Sequence, residues 1–140
     1  MLFRSLADAT FDIGQVRVTS RLVPHIGPTL GYRLECGGSS IAYISDHQQP
    51  YDGSLDVPAA VMELAEGVDL LIHDSQYTPA EFEKKYYFGH CTSEFAVGVA
   101  MKSRAGRLAL FHHDPVRTDD ELDSAVRCAT AGLEIGRAHV

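Results

Sequence analysis

Three apolar segments of this chain each end in an acid or an imidazole, and this pattern constrains the fold more than any other. The segments IAYI, LLI and LALF have the β-branched and apolar character of buried strands. They lead into the sequences SDH, HD and HHD. In α/β proteins, ligands bind beyond the carboxyl ends of strands, where side chains from neighbouring strands converge. The sequence therefore predicts an α/β protein with a metal site at one edge of its sheet.

A local explanation competes with the metal site for the first of these endings. Asp46 would cap a turn through its own backbone, and His47 would face water. For one strand end alone, that explanation is the simpler one. Three such endings in a chain with seven histidines favour metal binding, because imidazole and carboxylate are common ligands of divalent ions. We nevertheless expect His47 itself to be a solvated loop residue.

Composition limits the class of protein. A chain of 140 residues suits a single domain. It has no apolar run near the ~18 residues of a membrane span and no signal peptide, so we expect no membrane partner. Its three distant cysteines favour reduced thiols and a cytoplasmic location. The net charge of −7 argues against broad nucleic-acid binding and is compatible with a site that collects cations.

Secondary structure can be placed coarsely along the chain. The first 13 residues are weakly patterned, whereas Gln15–Val23 and Leu30–Cys36 have the pattern of strands. Gly37 and Gly38 then predict a tight turn into the strand that ends at SDH. Four helices are predicted, from their capping signals, to start near Asp56, Thr78, Thr92 and Thr118.

Five motifs, in this order and at this spacing, resemble a known family. They are PHIGPTLGYRLE (residues 24–35), IAYISDH (41–47), DLLIHDSQYT (69–78), GHCT (89–92) and LALFHHDP (108–115). Together they resemble the C-terminal half of the metallo-β-lactamase-fold hydrolases, in the branch that contains RNase Z and small phosphodiesterases. The resemblance implies an α/β fold: half of an αββα sandwich, with a mixed sheet and helices on one face.

The resemblance also implies a role for five side chains. His25 would bind the first metal, Asp46 would bridge two metals, and His112 would bind the second. His90 would lie near the scissile phosphate, and Asp74 would orient it. The ions would be zinc, with manganese or iron as alternatives. They would share a bridging hydroxide, lower its pKa and polarise the ester it attacks.

The implied reaction is hydrolysis of a phosphodiester or a similar small ester. The link Glu35–Ser40 is short compared with RNase Z-like enzymes, and the chain is acidic. Both features favour a compact phosphoester over a large RNA, so nucleic acid is the less favoured substrate. Lactone or β-lactam hydrolysis is disfavoured because HD and GHCT resemble the phosphodiesterase branch.

The other polar residues near these motifs have simpler explanations. We expect His113 to lie behind the ligands or to be exposed, although it could replace His112 as a ligand. His73 is expected to pack or bond locally, and Arg33 to pair with an acid rather than with a phosphate. The acids Asp119 and Asp120 suit a helix N-terminus.

One family motif, His-x-His-x-Asp-His, does not occur in this sequence. In the family, its residues supply further ligands to both metals. We therefore expect residues 1–133 to form a partial hydrolase domain, inactive alone, that exposes one face of its sheet. Residues 134–140 (EIGRAHV) resemble a translated sequencing adapter, so we expect a non-native tail and do not count His139 as a ligand. The full-length protein is expected to be a homodimer.

Two other functions remain open. One is a non-catalytic half-domain that binds a partner through the open sheet face. The other is a mononuclear metal-binding module that uses His25, Asp46 and His112 together with water.

Overall fold

A single mixed sheet of six strands, in chain order, forms the centre of the molecule. The computed structural model of the chain describes residues 7–131. The strands are β1 (Ala9–Ile13), β2 (Val16–Val23), β3 (Thr29–Cys36), β4 (Ser39–Ile44), β5 (Leu70–Asp74) and β6 (Leu108–Phe111). The first four strands are antiparallel, and β5 and β6 run parallel to β4. Residues 1–13, described above as weakly patterned, include β1, a short edge strand that the sequence did not predict and whose residues ATFDI alternate apolar and polar side chains.

Four helices and one short 3-10 helix connect or follow the parallel strands. They are α1 (Ala59–Ala65), α2 (Pro79–Lys85), the 3-10 helix (Tyr86–Phe88), α3 (Ser93–Lys102) and α4 (Asp119–Thr130). Thr78 and Thr118 each cap a helix and form a reciprocal capping box with the glutamate three residues later. These capping signals were read correctly from the sequence. No helix within residues 7–131 is long and apolar enough to cross a membrane.

The hydrophobic core lies between one face of the sheet and helices α1 and α3. Ile44 and Leu71 from the sheet are fully buried, as are Leu64 of α1 and Val99 of α3. Arg33 closes the rim of this layer, since its guanidinium donates hydrogen bonds to the Leu64 and Glu66 carbonyls at 3.2 and 2.7 Å. It also pairs with Glu35 at 3.2 Å, which confirms the expectation that Arg33 pairs with an acid.

The other face of the sheet remains open in the part of the chain that the structure describes. Leu34 and Ile41 are direct cross-strand partners on this face and are 37% and 40% exposed. Phe111 lies on the same face, where its ring packs 5.9 Å from that of Tyr43. The architecture is thus the expected α/β half-sandwich, with helices on one side of a mixed sheet.

The parallel strands bring three chain segments to one edge of the sheet. Because β4, β5 and β6 point in the same direction, their carboxyl ends are neighbours. Ser45–His47 follows β4, Asp74 ends β5, and His112 follows β6. The candidate site lies at this edge.

Candidate metal centre

Three potential ligands converge at the carboxyl edge of the sheet. Atoms of Asp46, His90 and His112 that could each bind an ion all lie within 4.8 Å of one another. Asp46 and His112 follow strands β4 and β6, which lie on either side of β5, while His90 precedes helix α3. The Asp46 carboxylate accepts a hydrogen bond from Ser45 Oγ at 2.6 Å through one oxygen. Its other oxygen lies 3.6 Å from His112 Nδ1.

His25 lies beside this group, against His90, and is not one of the three convergent residues. The His25 and His90 ring centroids are 5.4 Å apart, and those of His90 and His112 are 4.8 Å apart. His25 Nδ1 donates to the Gly89 carbonyl at 2.7 Å, which leaves Nε2 as the lone-pair nitrogen. Gly89 has a left-handed φ of 91°, and a Cβ built there would lie 2.5 Å from His25 Nδ1. Only glycine therefore fits between the two histidines without displacing one of them.

Asp74 orients the His90 ring through a hydrogen bond to Nδ1. Its Oδ2 accepts hydrogen bonds from His90 Nδ1 at 2.6 Å and from the His47 backbone N–H at 3.1 Å. Its Oδ1 accepts from the Gln76 N–H at 3.1 Å. Burial would raise the pKa of this carboxyl group, but the contacts with His112 and His90 outweigh burial and lower it. An ionised Asp74 fixes the His90 tautomer, so Nε2 faces the cluster with its lone pair.

His112 shows strain of the kind that clusters at functional sites. Its φ of 58° is left-handed, an uncommon conformation for a residue other than glycine. Its Nδ1 is buried and has no hydrogen-bond partner within the described residues. The carboxylates of Asp74 (3.8 Å) and Asp46 (3.6 Å) are too far away for hydrogen bonds. Their negative charge, that of Asp74 first, nevertheless raises the pKa of His112.

Two buried imidazoles lie beneath this cluster. His47 and His73 are fully buried, and their rings are linked through His47 Nδ1 and His73 Nε2 at 3.0 Å. His73 Nδ1 donates to the Asp74 carbonyl at 2.8 Å, so His47 is the donor to His73. Burial lowers the pKa of both, that of His47 to about 3. The expectation of a solvated His47 was wrong, because the chain turns inward after β4 and packs this ring on Phe95 at 5.4 Å.

The remaining expectations concern residues outside the cluster. His113 lies 3.4 Å from Ser75 Oγ and is absent from the convergent group, as is Asp119, which begins helix α4. The local packing expected for His73 is confirmed. The interpretation of residues 134–140 and of His139 falls outside the described residues.

The convergent residues fit a divalent ion. A carboxylate and two imidazoles from separate chain segments lie close together. Polar side chains on loops usually face water, so their convergence is notable. The orphaned Nδ1 of His112 lacks a polar partner that a cation would supply. The donor set of one carboxylate and two imidazoles is the type that zinc, manganese and iron accept. Metal binding is therefore consistent with both the donor chemistry and the unfilled bonding capacity of the site.

Sequence relatives of this chain include ribonucleases. A ribonuclease Z from Parasynechococcus marenigrum is 41% identical over 73 residues, which are 47% of this chain and 23% of that protein. The short form of human tRNase Z is 28% identical and has a TM-score of 0.65, and the match covers 75% of this chain and 38% of that structure.

A second solved structure matches more of the chain. The metallo-β-lactamase fold protein YhfI from Bacillus subtilis has a TM-score of 0.72 at 20% identity, over 94% of this chain and 50% of that one. This chain therefore spans about a quarter of the ribonuclease Z and half of YhfI. The family described as the β-lactamase superfamily domain matches residues 4–113. This chain belongs to that superfamily, has the metallo-β-lactamase fold, and falls within its RNase Z-like branch.

Proposed function

We propose that this chain carries part of the active site of a metal-dependent phosphodiesterase that holds two divalent ions. The observation that carries the proposal is the convergence of Asp46, His90 and His112. The Asp74–His90 hydrogen bond of 2.6 Å adds a positioned proton donor to the same place. His25 and Asp46 would hold one ion, and Asp46 and His112 the other. Bound there, the ions would supply Lewis acidity and lower the pKa of a water molecule.

The residues of this chain would manage the proton in the reaction. Hydrolysis forms one bond from a water oxygen to phosphorus and breaks the bond to the leaving oxygen, which must gain a proton. The lone pair of His90 Nε2 could take up the proton that the attacking water loses and pass it to the leaving oxygen, because Nδ1 is already engaged by Asp74. The Asp74 carboxylate would stabilise the imidazolium before transfer. Asp46, half-buried at the rim, would supply the carboxylate ligand.

The proposed substrate is an RNA phosphodiester. The acidic charge and the short Glu35–Ser40 link favour a compact phosphoester when the sequence stands alone. The relatives named ribonuclease Z and tRNase Z support nucleic acid instead. Local charge at the centre, which bound cations would reverse, bears on phosphate binding more directly than the net charge of the chain.

A second candidate function rests on the open sheet face. Leu22, Leu34, Ile41 and Phe111 are 37–44% exposed there, so a protein layer could bury them. In this alternative the chain binds a partner and performs no chemistry. The two candidates make different demands on the metal centre, which the partner-binding function does not need.

A zinc titration measured by isothermal calorimetry tests the proposed function. We expect the wild-type chain to bind zinc and His112→Ala to bind it at least about 10-fold more weakly. Loss of a group that only supports a metal ligand already lowers metal affinity by about that factor, and loss of the ligand itself should lower it at least as much. His113→Ala is the matched control, because it removes a neighbouring imidazole outside the convergent group. Equal zinc affinity in wild type and His112→Ala would remove the metal centre and leave the partner-binding function. Because this chain carries only part of the active site, hydrolysis of an RNA oligonucleotide by a zinc-loaded protein that also contains the His-x-His-x-Asp-His segment, with and without His112→Ala, then tests the reaction.

A further inference from the structure

Four exposed aromatic side chains form a continuous surface, which we call the aromatic rim: Tyr51, Tyr86, Tyr87 and Phe88. Their exposed fractions are 66%, 46%, 55% and 47%. The ring centroids follow one another at 5.5 Å from Tyr51 to Tyr86, 5.5 Å from Tyr86 to Tyr87 and 4.5 Å from Tyr87 to Phe88. One third of the chain's twelve aromatic Tyr and Phe residues thus lie together on the surface. Contiguous exposed apolar patches of this kind mark binding sites.

The aromatic rim adjoins the metal centre. Phe88 precedes His90 by two residues, so their Cα atoms are at most about 7.6 Å apart. Gly89, between them, is held by the His25 side chain at 2.7 Å. The left-handed turn at Gly89 ends the 3-10 helix, and His90 then enters the cluster. A group bound at the rim would therefore be a near neighbour of a phosphate at His90.

Charge around the rim favours one direction for an anionic ligand. Beyond Tyr51 and Tyr86 lies a cavity of about 580 Å³ whose walls include Asp52, Glu83 and Glu94. Three carboxylates would repel a phosphate there. At the other end of the rim, the imidazoles and the proposed cations attract one. A ligand with an aromatic group and a phosphate would thus place its ring on the rim and its phosphate at the centre.

We propose that the aromatic rim stacks an unpaired nucleobase of the substrate, next to the phosphodiester held at the metal centre. This inference rests on the proposed function and specifies its substrate as a nucleotidyl phosphodiester with an unstacked base. Bases of single-stranded RNA bind proteins largely by stacking on aromatic side chains, and such stacking tolerates any base. The rim offers ring faces from all four side chains, which suits stacking without sequence preference.

Direct binding to the metal-free chain tests the proposal without requiring hydrolysis. The chain has six tyrosines and no tryptophan, and three of the tyrosines belong to the rim. Titration with the dinucleotide ApA should quench tyrosine fluorescence, whereas ribose phosphate, which has no base, should not. Phe88→Ala keeps every tyrosine and should weaken ApA binding by about 5- to 140-fold. Phe88→Tyr should restore it, and Met101→Ala, an exposed apolar control on α3, should leave it unchanged.

The outcomes separate the inference from the function on which it rests. Equal binding of ApA and ribose phosphate, or equal ApA binding in wild type and Phe88→Ala, overturns the stacking site even if zinc binds normally. Loss of zinc binding with base binding intact would overturn only the proposed function. Cyclic adenosine monophosphate as a parallel ligand distinguishes a free nucleotide from an RNA strand as the source of the base. If Phe88→Ala does not fold by circular dichroism, Tyr51→Ala, on a separate loop, provides the same test.

Two other occupants of the rim would also overturn the proposal. Quenching by choline as strong as that by ApA would indicate an organic-cation site formed with the nearby carboxylates. A doubled mass in sedimentation that Phe88→Ala abolishes, without any base binding, would indicate a contact between two copies of the chain.

Discussion

Two aspartates near the two ends of strand β5 differ in burial and in the groups they bind. Asp69 immediately precedes the strand, is exposed, and accepts hydrogen bonds from the Ser40 N–H and Oγ at 2.7 and 3.2 Å. Asp74 ends the strand, is fully buried, and gathers two N–H groups and two imidazoles. The first ties two neighbouring strands together at a wet edge. The second holds a charge inside the protein, where it is tolerable only because those partners surround it.

The burial of Asp74 explains why the convergent polar side chains at the carboxyl edge influence one another strongly. An exposed carboxylate with local partners has little influence on the pKa of its neighbours, since water screens it. A buried one raises the pKa of His112 and fixes the His90 tautomer. At the carboxyl edge, His112 has a left-handed backbone and a buried Nδ1 without a hydrogen-bond partner among the described residues. At the amino edge, the Asp69 carboxylate is hydrogen-bonded to Ser40.

The largest effect is expected for Asp74→Asn. The amide would present an N–H₂ group to N–H donors, and His90, His47 and Gln76 would lose an ionic acceptor. We expect a loss of about 3 kcal/mol in the free energy of unfolding, measured by urea denaturation. If Asp69→Asn cost as much, burial would not distinguish the two ends of β5.

Acid should weaken the buried edge before it weakens the exposed one. The pKa of His47 falls from 6.5 in the unfolded chain to about 3 when folded, and that of His73 is also lowered. Between these values the unfolded chain binds the proton and the folded chain does not, so stability falls as the pH falls from 6.5. The expected slope from His47 is about 1.4 kcal/mol per pH unit, and His73 acts in the same direction. Urea midpoints above the range where carboxylates titrate would measure it, and a flat profile down to about pH 5 would contradict it.

Replacing His112 with glycine should separate stability from function. Glycine adopts a φ of 58° without strain, so the free energy of unfolding should rise by about 0.5–1 kcal/mol when it is measured above the raised pKa of His112. Zinc affinity should fall together with that of His112→Ala. Thermal unfolding and zinc titration of one preparation would provide both readouts. A destabilised variant would show that the ring contributes more by packing than the left-handed backbone costs.

The smallest effect is expected for Asp69→Asn. Its amide oxygen can still accept from Ser40, and the site is exposed. We expect a loss of about 0.5 kcal/mol or less by urea denaturation, with no change in zinc affinity. A measurable change in zinc affinity would mean that the strand transmits strain from one end to the other.

The sequence predicts the carboxyl edge better than it predicts what lies beneath it. The sequence predicts that Asp46 and His112 lie near strand ends, because an apolar run that stops at a polar residue marks the end of a strand. The ring of His47 is also at a tip, yet its burial depends on the way the following loop turns and on Phe95, far along the chain. The same limit applies to the aromatic rim, since Tyr51 and Tyr86 meet only after two loops have folded. No periodicity encodes such encounters.

Because the strands lie in the sheet in the order in which they occur in the chain, each new strand adds to an edge that already exists. A ribosome could thus release a sheet that grows one strand at a time, with no need for a later strand to insert between earlier ones. His112 follows the sixth strand, so a cation held between Asp46 and His112 could bind only after strands β4, β5 and β6 have come together.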